Sequence, residues 1–349
     1  MKLLTSYLPA ELEEIALSLG EKRFRGKQLF QWVQRGEPIS SMGNLPEAFR
    51  GRLEKDYVSD GVLIRQVAGS AEDGTEKYLF ELADGNLIEG VSMRYSYGNT
   101  LCISSQVGCR MCCAFCASTI GGLVRNLESG EMMGQVIAVN RHLGGTLKQR
   151  AVGNVVIMGS GEPLDNYENV VKFLHLAAHR EGLNISPRNI SLSTCGIVPG
   201  IYDLAQESLP ITLCISLHGP TDEIRRKLMG IANAYKIDEI LDAVRYYIKQ
   251  TGRRVIFEYA LIDGINDSED CAAGLARLLR GLQCHVNVIP LNPVAECGFA
   301  ASSEAVTAAF LSRLEHERIS ATRRRRMGAD VDGACGQLRR RVLSEIGEG

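Results

Sequence analysis

The chain has 349 residues, 45% of them hydrophobic and 23% charged, with 39 basic against 41 acidic side chains. This balance argues for a globular chain with one large and one smaller domain, or two of ordinary size, and against disordered, collagen-like or disulfide-scaffold classes. A net charge of −2 gives no global signal for a nucleic-acid partner, although local basic patches are what bind phosphate.

No window approaches the roughly 18 consecutive apolar residues of a membrane span, so no membrane partner is expected. The opening MKLLTSYLPAELEE is too short an apolar run for a secretory core and soon turns acidic, so a cytoplasmic chain is expected.

Three helices open the chain. Leu8, Leu12, Ile15 and Leu19 recur at helical spacing between Pro9 and Gly20. Phe24, Leu29, Trp32 and Val33 mark a second helix that stops near Gly36, and a third follows Asn44-Leu45-Pro46. Arg23, Arg25, Lys27, Arg35, Arg50 and Arg52 decorate this region, as a solvated face or as an RNA-contacting patch. Next, Tyr78–Leu82 and Leu87–Val91 flank Asp84-Gly85, a hairpin signal. From about residue 100 strands alternate with helices. The strands are Thr100–Ser105, Asn154–Met158, Asn189–Ser193, Thr212–Ser216, Arg254–Ile262, His285–Pro290 and Ile319–Arg323. Helical patterns between them include Glu131–Leu143, Tyr167–Arg180 and Ile237–Gln250.

This rhythm makes the chain α/β with a parallel sheet or barrel. Six or so units are too few for a closed eightfold barrel. An incomplete (β/α)6-type barrel is therefore the first expectation and a doubly wound open sheet the second. The expected organisation is an N-terminal helical domain over residues 1–60, a β-hairpin linker over 61–97 and a catalytic core over 98–349.

Five of the eleven cysteines fall between Cys102 and Cys116. In a chain of this size such a cluster reads as metal binding or catalysis more readily than as a disulfide framework. Cys109, Cys113 and Cys116 make C-x-x-x-C-x-x-C. Three thiolates on one short loop can hold three irons of a cubane cluster and leave the fourth open to a small molecule, unlike a four-cysteine electron carrier. Cys112 is read as a bystander. The alternative is zinc, with His218 or a distant cysteine completing a tetrahedral site, but the second C-x-x-C knuckle of a zinc ribbon is missing.

The spacing, with an aromatic before the last cysteine, resembles the radical S-adenosylmethionine (SAM) superfamily. Leu101–Cys109, Met158-Gly159-Ser160-Gly161-Glu162-Pro163-Leu164, Ser216-Leu217-His218, Ile289–Pro293 and Asp332–Leu338 are similar to signatures of the RlmN-type RNA adenine C2 methyltransferases. Phe24–Gln28 and Asn44–Pro46 are similar too, so the resemblance covers nearly the whole chain. It implies a radical SAM core that ends in a catalytic cysteine loop. It also implies a [4Fe-4S] cluster on Cys109, Cys113 and Cys116, an external electron donor, and SAM held by Gly161, Glu162, Ser193, Ser216, Leu217, His218 and Asn292. The implied substrates are 23S rRNA, in its peptidyl-transferase region, and some tRNAs.

In the family's scheme a first SAM methylates Cys335. A second supplies a radical that takes hydrogen from that methyl group, and the carbon adds to C2 of the adenine. Cys102 then attacks the Cys335 sulfur, releasing product and leaving a Cys102–Cys335 disulfide. Glu89 matches the family's proton acceptor, a role that Cys102 also suits. By pattern alone Glu89 is an outward-facing strand residue. The run Arg323–Arg326 before the Cys335 loop is a solvated charge run or a phosphate contact. Rival functions are the sister C8 methylation of the same base, a non-catalytic iron–sulfur redox protein, and a zinc-stabilised RNA-binding module.

Overall fold

A computed structural model describes residues 1–292, 294–331, 338, 339 and 342. Ten strands form one sheet whose spatial order is the chain order. β1 (Val62–Gly69), β2 (Glu76–Leu82), β3 (Leu87–Tyr95) and β4 (Gly98–Ile103) are antiparallel neighbours. β5 (Val152–Ile157), β6 (Ile190–Thr194), β7 (Thr212–Ser216), β8 (Val255–Leu261), β9 (Cys284–Pro290) and β10 (Ala321–Arg323) follow, each parallel to its predecessor. The strand order never reverses, as it would in a doubly wound sheet, and among the described residues the sheet keeps two edges, β1 and β10, so it is an incomplete barrel.

Helices fill the crossovers, as parallel neighbours require. α1 (Pro9–Ser18), α2 (Phe24–Gln34) and α3 (Glu47–Asp56) precede the sheet. In the six crossovers from β4 to β10 lie α4 (Ser129–His142), α5 (Tyr167–Ala178), α6 (Val198–Gln206), α7 (Asp222–Leu228), α8 (Ile237–Thr251), α9 (Glu269–Leu279) and α10 (Glu304–His316), with α7 and α8 sharing one. The expected strands are all present within a few residues. The hairpin turns at Gly85, whose φ of 81° suits glycine. It is not a separate linker, however, because β1 extends it and β4 joins it to the parallel strands. β1 escaped notice because Leu63, Arg65 and Gln66 break its apolar alternation.

The helical opening is not cored by itself either. Leu12, Leu29, Phe30 and Phe49 belong to one apolar cluster with Val136 of α4 and Phe173 of α5.

Along β6 to β9 the two faces differ in kind. Leu192, Leu213, Ile215, Phe257, Tyr259, Val286 and Val288 pack into the core. The alternate positions carry Ser193, Ser216, Glu258 and Asn287. Parallel strands buried on both faces normally read as continuous apolar runs. A polar inner face here leaves that side of the sheet for a ligand.

Candidate active site

The inner face borders a cavity of about 370 Å³, within the range of small-ligand pockets. Cys109, Cys113 and Cys116 line one part of it, and Cys102, Val91, Met93 and Met158 line another. Gly161, Glu162, Ser193, Ser216, His218 and Asn292 also border it. Of the sequence-predicted residues, Leu217 and Glu89 are not in the lining. The Leu217 side chain is buried in the core, so only its backbone lies between Ser216 and His218. Cys335 falls outside the described residues.

The thiol loop is held by its main chain. Cys109 N–H donates to the Gly122 carbonyl at 3.0 Å. Gly108 before it has φ 79°, and a Cβ there would stand 2.0 Å from that carbonyl oxygen, so only glycine fits. Ala114 N–H donates to Leu228 O at 2.9 Å, and Gly230 N–H to Cys112 O at 3.2 Å. Thr119 Oγ1 donates to the carbonyls of Cys116 and Cys113 at 2.9 and 3.2 Å. Cys112, at φ 53°, is exposed and points its thiol at the Arg110 carbonyl, outside the cavity lining. Burial pushes the Cys109 thiol up to about 12 and the Cys113 thiol higher still. Such thiols bind metal only by exchanging their protons for it. Among the described residues, no three His, Cys, Asp or Glu side chains are gathered around a single metal-ion position.

Gly161 has φ 108°, and its missing Cβ would meet the Gln106 side chain at 2.6 Å. Gly161 thus approaches Gln106 closely and also borders the cavity. Gln106 Oε1 in turn accepts from Glu162 N–H at 2.8 Å. Glu162 is buried, and its oxygens accept from Cys195 N–H at 2.7 Å and Leu164 N–H at 3.0 Å. Burial raises its carboxyl value, against these hydrogen bonds. A ligand ammonium would share this carboxylate with the backbone. Ser193 and Ser216 stand with hydroxyls 3.3 Å apart. His218, at φ 55°, accepts from Ala260 N–H through Nδ1 at 3.0 Å and meets Phe115 edge-on at 5.1 Å. Burial, then the Arg225 charge, depress it to about 3. The ring is therefore neutral, with Nε2–H as its donor.

At the other end, Cys102 on β4 pairs with Val91 and Val156 on the flanking strands. Glu89 faces inward: it is 4% exposed, with Lys77 Nζ, itself fully buried, 3.2 Å from one oxygen. The outward reading fails because Leu338 packs with Leu79 and Leu87 over this stretch. The other Glu89 oxygen accepts from Arg339 N–H, four residues beyond Cys335.

The arginine run divides. Arg323 pairs with Glu304, and Arg326 donates to the Leu291 carbonyl at 3.1 Å. Arg324 turns toward Glu258, at 3.9 Å, and the Met158 sulfur, at 3.8 Å. Arg325 is exposed and borders the cavity. In the helical opening, Arg23, Lys27 and Arg52 form ion pairs with Glu13, Glu181 and Glu21, which lowers the charge this face can offer RNA.

Sequence reasoning missed Glu258. It is 3% exposed and lines the cavity; Asn287 donates to one oxygen at 3.0 Å, and among the described residues the other makes no hydrogen bond. Its signal was a lone acid inside the apolar run Val255–Leu261.

Comparison with known proteins covers nearly the whole chain. The radical SAM superfamily model matches residues 103–273, and the ribosomal RNA large subunit methyltransferase N-terminal domain matches residues 4–58. A Lachnospira eligens protein described as a probable dual-specificity RNA methyltransferase RlmN is 49% identical over 342 residues, covering 97% of this chain and 96% of its own. A Clostridioides difficile protein of the same description is 50% identical over 339 residues, covering 97% of each chain. The crystal structure of a radical SAM methyltransferase from Sphaerobacter thermophilus matches with a TM-score of 0.92 at 41% identity, covering 97% of this chain and 99% of that one.

Proposed function

Because the chain belongs to the RlmN family of radical SAM RNA methyltransferases, we propose that it methylates C2 of an adenosine in the peptidyl-transferase region of 23S rRNA, and of the adenosine 3′ to the anticodon in some tRNAs. The observation that carries this reading is a single cavity bordered by three cysteines of one loop and by Cys102.

The superfamily's cofactors, a [4Fe-4S] cluster and SAM, suit the donors present. Cys109, Cys113 and Cys116 would hold the cluster. Glu162, Ser193, Ser216, His218 and Asn292, with the backbone of Gly161 and Leu217, would hold SAM. With an electron from an external donor, the bound cluster supplies reductive cleavage of SAM.

The chain's own groups do the rest. An adenine C2 is not nucleophilic, so it cannot displace a methyl group from SAM directly. Cys335 instead accepts a methyl group from one SAM. After a hydrogen atom leaves that methyl for the 5′-deoxyadenosyl radical, its carbon bonds to C2 and joins RNA to enzyme through the Cys335 sulfur, and the resulting radical adduct gives up one electron to an external acceptor. The C2 proton passes to Glu89 or to Cys102. Of the two, Cys102 lies in the cavity wall, while Glu89 faces Lys77 and the Arg339 backbone. The Cys102 thiolate then attacks the Cys335 sulfur. The carbon–sulfur bond breaks, the electron pair stays with the product carbon, which takes up a proton to complete the methyl group, and a Cys102–Cys335 disulfide remains for an external thiol to reduce. His218, neutral, offers a hydrogen-bond donor without adding charge.

Anaerobic incubation of reconstituted protein with SAM, reductant and RNA tests the reading through nucleoside mass analysis against isomer standards. The expected product is 2-methyladenosine, with 5′-deoxyadenosine formed alongside. Methylation at C8 would move the chain to the sister activity, and no SAM cleavage would leave a redox protein.

A further inference from the structure

Arg225 on α7 is fully buried. Its Nη1 donates to the Tyr235 carbonyl at 3.1 Å and its Nη2 to the Cys195 carbonyl, while among the described residues Nε makes no hydrogen bond. Both acceptors are neutral. Among the described residues no carboxylate stands within ion-pair distance of it. Asp222, at the start of the same helix, acts on it only through the field and spends one oxygen on Ile237 N–H at 2.9 Å. A guanidinium does not shed its proton, so burial leaves it a charge in need of an anion.

The anion is next door. The end of α7 is laced to the thiol loop by the Ala114–Leu228 and Gly230–Cys112 hydrogen bonds and by a bridge between Cys113 and Met229. Cys195, whose carbonyl takes Nη2, packs in one cluster with Cys109 and Cys113. Three thiolates around a [4Fe-4S] cluster carry net negative charge, and one-electron reduction deepens it. Reduction potentials of such clusters follow local charge and burial. Arg225 is absent from the cavity lining, so it reaches the cluster position through the field and not by touching SAM.

We propose that Arg225 is the cluster's counter-charge: a buried cation, fixed by backbone carbonyls beside the Cys113 loop, that favours cluster loading and the reduced state. This rests on Cys109, Cys113 and Cys116 being the cluster ligands. It makes Arg225 a positioning residue that acts on the cluster's charge.

The test is redox titration of reconstituted, SAM-free holoenzyme, with the reduced cluster read by electron paramagnetic resonance and iron content measured in parallel. Arg225→Gln keeps a donor for the Cys195 carbonyl without the charge, Arg225→Met keeps neither, and Arg225→Lys keeps the charge on a smaller head. The midpoint potential should fall in the Gln and Met variants and return to the wild-type value in the Lys variant. Iron-replete neutral variants with an unchanged potential overturn the proposal. So does a potential that falls equally in Lys and Met, since that follows the hydrogen-bonding fork and not the charge. Thermal melts give a second readout if Arg225→Met does not fold. The rise in Tm on cluster loading should be smaller in Arg225→Gln than in wild type, because the apoprotein no longer buries an unpaired charge; an equal or larger rise contradicts this. Wild-type protein that assembles no cluster overturns the ligand assignment, and this proposal with it.

Discussion

The two ends of the cavity are fastened differently. At the thiol end the main chain does the fastening: Gly122, Leu228 and Cys112 carbonyls hold the loop, and glycine at position 108 allows the approach. At the Cys102 end the sheet supplies a wall, and carboxylates secure the C-terminal segment against it. Asp73 accepts from Gly328 N–H at 2.8 Å, Asp330 from Ala71 N–H at 2.9 Å, and Glu89 from Arg339 N–H. The first kind of fastening tolerates side-chain change except at the three cysteines, the glycines and Thr119, whose hydroxyl holds the Cys113 and Cys116 carbonyls. The second depends on carboxylates and backbone amides brought together from 250 or more residues apart in sequence.

The sharpest break is expected at the thiol end. Cys109→Ala, Cys113→Ala or Cys116→Ala should abolish cluster assembly and all methylation, while Cys112→Ala, pointing away from the cavity, should keep both. Iron and sulfide analysis with visible absorption checks this, and a full cluster in Cys113→Ala would refute the ligand set.

At the other end Lys77→Met should cost about 3–5 kcal/mol, because it leaves the buried Glu89 without that ion-pair partner. Urea denaturation should show Lys77→Met combined with Glu89→Leu recovering part of the loss. No recovery would mean that the two side chains stabilise the wall independently.

His218 sharpens the comparison through pH. Its folded value is about 3, against an ordinary 6.5. Between those values the unfolded chain binds a proton that the folded chain refuses. Stability therefore falls as pH drops through this window, by about 1.4 kcal/mol per pH unit at most. His218→Gln should lose that slope in denaturation curves at pH 7 and pH 5, and parallel curves would contradict the assignment.

The smallest effect is expected at the exposed Arg325. Arg325→Ala should raise KM for RNA, leave kcat unchanged and reduce the salt slope of RNA binding by about 1. An unchanged salt slope would remove phosphate contact from its role.

Legibility in sequence follows the same division. The thiol loop was readable because its three cysteines lie close together at a set spacing, and the strand–helix rhythm was readable because each period is local. Lys77, Arg225 and Glu258 were not. Lys77 sits in Glu76–Leu82 as on an ordinary edge strand, and Arg225 in Asp-Glu-Ile-Arg-Arg-Lys-Leu as on a solvated helix. Their burial is made by segments remote in sequence, so no local pattern carries it. Gly161 was read as a close approach to a ligand; the structure adds a close approach to Gln106, which lies in another crossover and so left no local signal.

The central claim is that the two ends act on one substrate, with the cysteines of the loop initiating and Cys102 resolving. Cys102→Ala tests it most directly, because it leaves the cluster ligands and Cys335 in place. Anaerobic reaction with SAM, reductant and RNA, followed by a denaturing gel, should give an RNase-sensitive shifted band for Cys102→Ala and none when Cys335→Ala is added. Free methylated RNA from Cys102→Ala at the wild-type rate, with no shifted band, would contradict the account.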